Sequence, residues 1–373
     1  MFIIQPKDFD TLISALKTRS YLVIGPKVRD NAVIYDEIDV AADLPIGLTD
    51  EQDNSRYRLK RSAGGLFFDT SVGPYSWKRY LFPPRAKIMS FIKRGKVLEL
   101  ESDGAGQEKR QYAFLGVRPC ELSAMALQDR VFMGAQFADR AYSAKRKGAF
   151  IVAVNCTRSG GTCFCASMGT GPGATEGYDI ILTELVENDR HCFLAEVGSA
   201  RGTDVMNDVT RTKASAADVQ LARNLVAAAK GSMKKSMNVA GLRELLAENV
   251  DSAHWEEVSR RCLMCANCTL VCPTCFCSTV EDTTDLSGEH AERWRRWDSC
   301  FTMDFAKVTG GNFRPSPRAR YRQWITHKLS WWIEQFGTSG CVGCGRCVTW
   351  CPVGIDITAE VRALQSSGVH ADA

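Results

Sequence analysis

Sixteen cysteines stand out in this chain of 373 residues, and eight of them fall into two runs of identical spacing. The first reads Cys262-Leu-Met-Cys265-Ala-Asn-Cys268-Thr-Leu-Val-Cys272-Pro273 and the second Cys341-Val-Gly-Cys344-Gly-Arg-Cys347-Val-Thr-Trp-Cys351-Pro352. A cube of iron and sulfide needs four thiolates converging on its corners, which no straight helix or strand presents. Cys-x-x-Cys-x-x-Cys wraps three corners in one compact turn, and a distant Cys-Pro supplies the last. On this spacing Cys262, Cys265, Cys268 and Cys351 hold one 4Fe-4S cluster, and Cys341, Cys344, Cys347 and Cys272 hold a second. The chemistry would be electron transfer, with no bond-making site in the motif itself. Paired Cys-x-x-Cys also serves zinc; two complete four-cysteine runs argue against that reading.

Four further cysteines, Cys120, Cys156, Cys163 and Cys165, lie near the ends of elements expected in the first half of the chain. Two readings are open for them: a third 4Fe-4S cluster, or thiols packed as small hydrophobes. Cys-x-Cys is an awkward spacing for a single cube. Cys275, Cys277 and Cys300 do not complete a cube by themselves, and a packing or supporting role beside the clusters is expected. The segment Thr274-Cys275-Phe276-Cys277 repeats Thr162-Cys163-Phe164-Cys165. Cys192 sits inside a strand pattern and is expected in the core.

The elements that must position these thiols can be read from periodicity. Up to about residue 110, short apolar runs alternate with turn residues, as at 21–25 and 87–92, which predicts strands. Between them, 64–84 is rich in Gly, Pro and aromatics and predicts a long ordered loop. The strand at 112–117 runs into Arg118-Pro119-Cys120-Glu121 and then into helical spacing as far as Phe132. Proline opens helices, so Cys120 is expected in a first turn, where aligned amides favour a thiolate. A buried-strand pattern at 149–155 ends at Cys156, so the two cysteines can meet at one edge of a sheet. Strands are also expected at 178–183 and 192–197. From about Ala214 the period changes to helical, with Val219, Leu221, Leu225 and Ala228, then Leu242, Leu245, Leu246 and Val250. These patterns predict an α+β chain: a mixed α/β domain over 1–230, then a mainly α-helical domain over 231–373 built on the two cysteine runs. The 273–340 stretch between the runs is an elaborated insert, in which Tyr321, Ile325, Leu329, Trp332 and Phe336 repeat at helical spacing.

Several function classes are disfavoured. A formal charge of +4 gives no bulk argument for nucleic acid or membrane. The arginines and tryptophans from Arg293 to Trp297, with Arg314, Arg318, Arg320, Arg322 and Lys328, read as a solvated face or a docking surface for an acidic partner subunit, not as a nucleic-acid site. The start shows no basic stretch followed by an apolar one, and no run approaches the ~18 apolar residues of a membrane span. A cytoplasmic location is therefore expected. The glycines of Gly169-Thr-Gly171-Pro-Gly173 follow a cysteine loop instead of joining strand to helix, so they are a poor dinucleotide signature. The five histidines form no metal or triad spacing.

Taken together, Gly116-Val-Arg-Pro-Cys120, Asn155-Cys156, Thr162-Cys163-Phe-Cys165, Gly169-Thr-Gly-Pro172, Trp297-Asp-Ser-Cys300 and both cysteine runs resemble the iron–sulfur beta subunit of cytoplasmic NADP-linked nickel–iron hydrogenases, or sulfhydrogenases. The chain is also similar to the A subunit of anaerobic sulfite reductases. The resemblance implies a non-catalytic redox subunit with a ferredoxin-like domain and two 4Fe-4S clusters, with a third open. It further implies a flavin/NAD(P)-binding subunit on one side and hydrogenase small and large subunits on the other. The alternative is the electron-transfer subunit of an anaerobic sulfite or sulfur reductase complex.

Overall fold

The computed structural model describes residues 1–102, 110–134, 137–188 and 190–368. An eight-stranded mixed sheet organises the first half of the chain. Its centre is parallel: Ile180–Glu187, Phe150–Val154, Gln111–Val117 and Tyr21–Arg29 lie side by side in that order. Antiparallel strands close both edges, Ala32–Glu37 on one side and Arg190–Val197, Phe2–Ile4 and Thr212–Lys213 on the other. Central parallel strands are covered on both faces and so carry unbroken apolar runs. All five residues of Phe150–Val154 are accordingly buried. One face packs on Phe9, Leu12, Leu16, Phe67, Phe68 and Phe193, the other on Trp77, Leu81, Phe82, Leu122 and Met125. The aromatic stretch at 64–84, expected as a long loop, is ordered across both faces but contains a helical turn at Lys78–Leu81, and the Glu184 carboxylate accepts from Phe67 N–H at 2.7 Å and Phe68 N–H at 2.9 Å.

Beyond the helix Ala216–Gly231 a separate core forms around Leu246, Trp255, Tyr321, Trp324, Ile325 and Leu329, with cysteines of both runs packed on it. The insert between the runs is only partly helical. Its first portion is a hairpin, Ser278–Thr284 with His290–Trp297. The second hairpin strand pairs antiparallel with Arg85–Arg94, which in turn pairs with Val97–Ser102. One four-stranded sheet therefore joins a hairpin from each half of the chain. The helical residues of the insert follow as Pro317–Thr326, a wider π turn at His327–Trp331, and Trp332–Phe336.

The basic run has a structural use here. Arg293 pairs with Asp282, Arg295 with Asp139 and Arg296 with Glu281. Buried Arg320 donates to the carbonyls of Arg314 and Phe301. The charges read as a docking surface are largely occupied within the chain. No helix among the described residues is long and apolar enough to cross a membrane.

Candidate iron–sulfur sites

The two cysteine runs share a backbone as well as a spacing. Met264 and Ala266 of the first adopt φ of 57° and 65°, and Gly343 and Gly345 at the matching places of the second adopt 65° and 74°. Each run then enters a single helical turn, Asn267–Leu270 or Arg346–Thr349. Two left-handed residues flanking the middle cysteine curl the chain round, which brings three thiols to the inside of one turn. Side chains at such φ are strained by about 1–3 kcal/mol, so Met264 and Ala266 are held there by their surroundings.

Glycine in the second run has a further cause. A Cβ on Gly343 would sit 2.7 Å from the Cys165 backbone, and one on Gly345 would sit 2.4 Å from the Thr162 carbonyl oxygen. The loop carrying Cys163 and Cys165 is seated directly on this run: Phe164 N–H donates to Gly343 O at 2.8 Å and Thr170 Oγ1 to Val342 O at 2.6 Å. Gly343→Ala is therefore expected to lose about 1–3 kcal/mol, in addition to any backbone displacement. Ala266→Gly should stay within about 1 kcal/mol of the parent. Anaerobic chemical denaturation of both variants checks this, and equal stability for the two would refute it.

Cys262, Cys265, Cys268 and Cys351 line one cavity, walled by Phe301, Tyr321, Trp324, Ile355 and Ile357, which Cys347 also reaches. Cys265 is exposed, so this set opens towards the surface. Cys341, Cys344, Cys347 and Cys272 form a deeper set whose members act electrostatically on one another. Burial pushes these thiols up, that of Cys341 to about 12. Cys272 is driven the other way, by a hydrogen bond with Cys275 and by the Lys328 ammonium, whose Nζ is 3.2 Å from its Sγ. The two sets adjoin, since Cys268 acts on Cys347 and Cys272 acts on Cys268.

The first-half cysteines also converge. Cys120 is the second residue of the helix Pro119–Phe132, and Cys156 follows the strand Phe150–Val154 by two residues. Their strands are parallel neighbours, with Val117 opposite Ala153, so both thiols stand at the carboxyl edge of the sheet. Cys120, Cys156, Cys163 and Cys165 lie within electrostatic reach of one another, and Cys344 of the second run belongs to the same neighbourhood. Gly171 closes the group, because a Cβ there would meet Cys165 Sγ at 2.9 Å. The expected thiolate at Cys120 is corrected: the helix start is present, but burial and nearby thiols push this thiol well up. Desolvation outweighs the amide dipoles in a site this dry.

Arg346 and Glu121 bind this edge to the second run while Arg118 braces it within the first half, and sequence reading assigned a role to none of the three. Arg346 Nη2 donates to Glu121 at 2.5 Å, and Arg118 Nη2 donates to the carbonyls of Phe68 and Thr70. Arg346 Nη1 is buried with no oxygen or nitrogen partner, while its guanidinium draws the neighbouring Cys344 towards thiolate. The position of Arg346 between two cysteines of one run was the available signal. An unpartnered buried donor beside a ligand-type thiol fits an anionic group at these cysteines, as does a donor set made of thiols alone. An iron–sulfur cluster is such a group. Among the described residues, no three His, Cys, Asp or Glu side chains close on a single ion.

Of the remaining cysteines, Cys192 is fully buried in its strand. Cys275, Cys277 and Cys300 are not dispersed packing residues; they gather beside Cys272, with Lys78 and Lys328.

Residues 261–355 match the 4Fe-4S dicluster domain family. The chain is 34% identical over 322 residues to sulfhydrogenase 2 subunit beta of Pyrococcus furiosus, covering 83% of this chain and 90% of that protein. No solved structure matches.

Proposed function

The chain belongs to the sulfhydrogenase beta-subunit family, and from that premise we propose that it relays electrons between an NAD(P)H-linked flavin subunit and a nickel–iron hydrogenase module. We assign Cys262, Cys265, Cys268 and Cys351 to one 4Fe-4S cluster, Cys341, Cys344, Cys347 and Cys272 to a second, and Cys120, Cys156, Cys163 and Cys165 to a third. A cluster so held supplies reversible one-electron storage. The observation that carries the reading is the adjacency of the three sets: Cys268 and Cys347 join the first to the second, and Cys344 joins the second to the third. In this reading 1–230 is the mixed domain and 231–373 the ferredoxin-like one, and the chain works in the cytoplasm.

The chain's own residues keep the sites dry and balance their charge. Phe301, Tyr321 and Trp324 wall the first set, Lys328 and Arg346 place positive charge on the second, and Arg118 lies 3.9 Å from Cys156 Sγ in the third.

A tagged chain recovered from its own host is expected to bring down a nickel–iron large subunit together with a flavoprotein. Recovery with a sirohaem protein instead would replace hydrogenase by sulfite reductase, and recovery alone would remove the relay. The third set has its own check: Cys163→Ser with Cys165→Ser should lose about four irons per chain relative to the parent, and an unchanged iron count would return these cysteines to packing.

A further inference from the structure

Three cysteines of the second half, Cys275, Cys277 and Cys300, belong to none of the three sets, yet the fold assembles them. Cys275-Phe276-Cys277 leads straight into the strand Ser278–Thr284. The Phe276 ring packs edge-on against Phe132 at 5.9 Å and Trp332 at 6.1 Å. Alternation along an extended chain then turns both cysteines to the opposite side. Cys300 is brought in by the hairpin: Ser278 pairs with Trp297, and Asp298 N–H donates to Cys277 O at 2.9 Å. Cys277 and Cys300 are hydrogen-bonded to each other, as are Cys272 and Cys275.

Charge gives an independent argument. Lys78 and Lys328 are each only 5% exposed. Lys328 Nζ is 3.2 Å from Cys272 Sγ; Lys78 Nζ donates to Cys275 O at 3.0 Å and lies over the Trp297 ring. Among the described residues neither makes a salt bridge, whereas buried Arg346 is paired with Glu121. Two ammonium groups buried without a counter-ion are expensive. Negative charge on the thiols and on whatever they hold would offset that cost.

Sequence supplies the third argument. Thr162-Cys163-Phe164-Cys165 is completed by two cysteines from elsewhere, Cys120 and Cys156, and Thr274-Cys275-Phe276-Cys277 is flanked in the same way by Cys272 and Cys300. Both threonines are buried; Phe164 N–H rests on Gly343 O within the second run, and Thr274 Oγ1 on Gly340 O, the residue just before that run, at 2.7 Å.

We propose that Cys275, Cys277 and Cys300 hold a further iron–sulfur centre beside the second set, with Lys78 and Lys328 as its counter-charges and Cys272 at the shared edge. This rests on the reading of the chain as an iron–sulfur carrier. The test uses full-length protein, assembled anaerobically with ferrous iron and sulfide. Cys277→Ser with Cys300→Ser should lose about three to four irons and matching sulfide, while the electron paramagnetic resonance signals that depend on Cys262 and Cys341 persist. Lys78→Met keeps every thiol and should move the midpoint potential of one signal to more negative values, that signal being the one the double variant lacks. Unchanged iron in the double variant overturns the proposal, as does a Cys277–Cys300 disulfide in peptide maps of the parent. If the double variant does not fold, the Lys78→Met titration decides: no shifted signal overturns the proposal. Cys265→Ala separates the two levels, because loss of iron there with none at Cys277 and Cys300 rejects only this centre, and no loss at either rejects the carrier reading itself.

Discussion

Glu121→Ala is expected to cost about 3–5 kcal/mol, the usual penalty for stranding one partner of a buried ion pair. Glu121 and Arg346 are both essentially inaccessible to solvent. The glutamate accepts from Arg346 through Oε1 and, through Oε2, from Tyr35 Oη at 2.7 Å and Trp77 Nε1 at 3.0 Å. Its removal leaves a guanidinium, a phenol and an indole N–H buried without their acceptor, and the burial of Tyr35 already disfavours its ionised form. Against a whole-domain stability of about 5–15 kcal/mol this is a large fraction. Glu121→Gln keeps an acceptor and the shape and should lose roughly half as much, because the charge alone is gone. Pairing Glu121→Leu with Arg346→Met should recover much of the loss, since a neutral, packed replacement of a buried pair is often tolerated. Anaerobic denaturation of the four proteins measures this. A loss below about 1 kcal/mol for Glu121→Ala, the level of an exposed pair, would mean that water reaches the site and that the pair does not tie the first-half sheet to the second run.

That pair marks where reading the sequence stopped. The cysteine spacing was legible because a local turn has to curl three thiols inward, and the matched φ values of Met264, Ala266, Gly343 and Gly345 are the backbone form of the repeat. The meeting of Cys120 and Cys156 was legible too: a proline-opened helix and an apolar strand, both ending in cysteine, can share a sheet edge. Non-local fits were not. Nothing periodic announces that Gly343 and Gly345 are small because residues 162–165 press on them, or that His290–Trp297 pairs with a strand two hundred residues earlier. Arg293 to Trp297 looked like a surface patch because charge dominates its composition; the strand was hidden in its alternation. Lys328 was likewise counted among surface charges, whereas the π turn at His327–Trp331 accompanies its burial against Cys272.

Cys265→Ala should abolish hydrogen-driven NADP reduction by the assembled complex while leaving hydrogen oxidation with an artificial dye largely intact, and Cys344→Ala should do the same for a different reason. Cys265 is the exposed member of the first set, so its truncation removes a thiol at little packing cost and should take about four irons with it. Cys344 is buried where the second and third sets meet. Its loss should therefore disturb both, and iron should fall further than in Cys265→Ala. On the proposed relay the dye reaction separates transport from catalysis, because it would take electrons before they enter this chain. A variant that keeps NADP reduction would rule the relay out, whatever its iron content. Equal iron loss in the two variants would leave the relay standing but detach the third set from the second, and with it the assignment of Cys120, Cys156, Cys163 and Cys165 to a cluster in the same path.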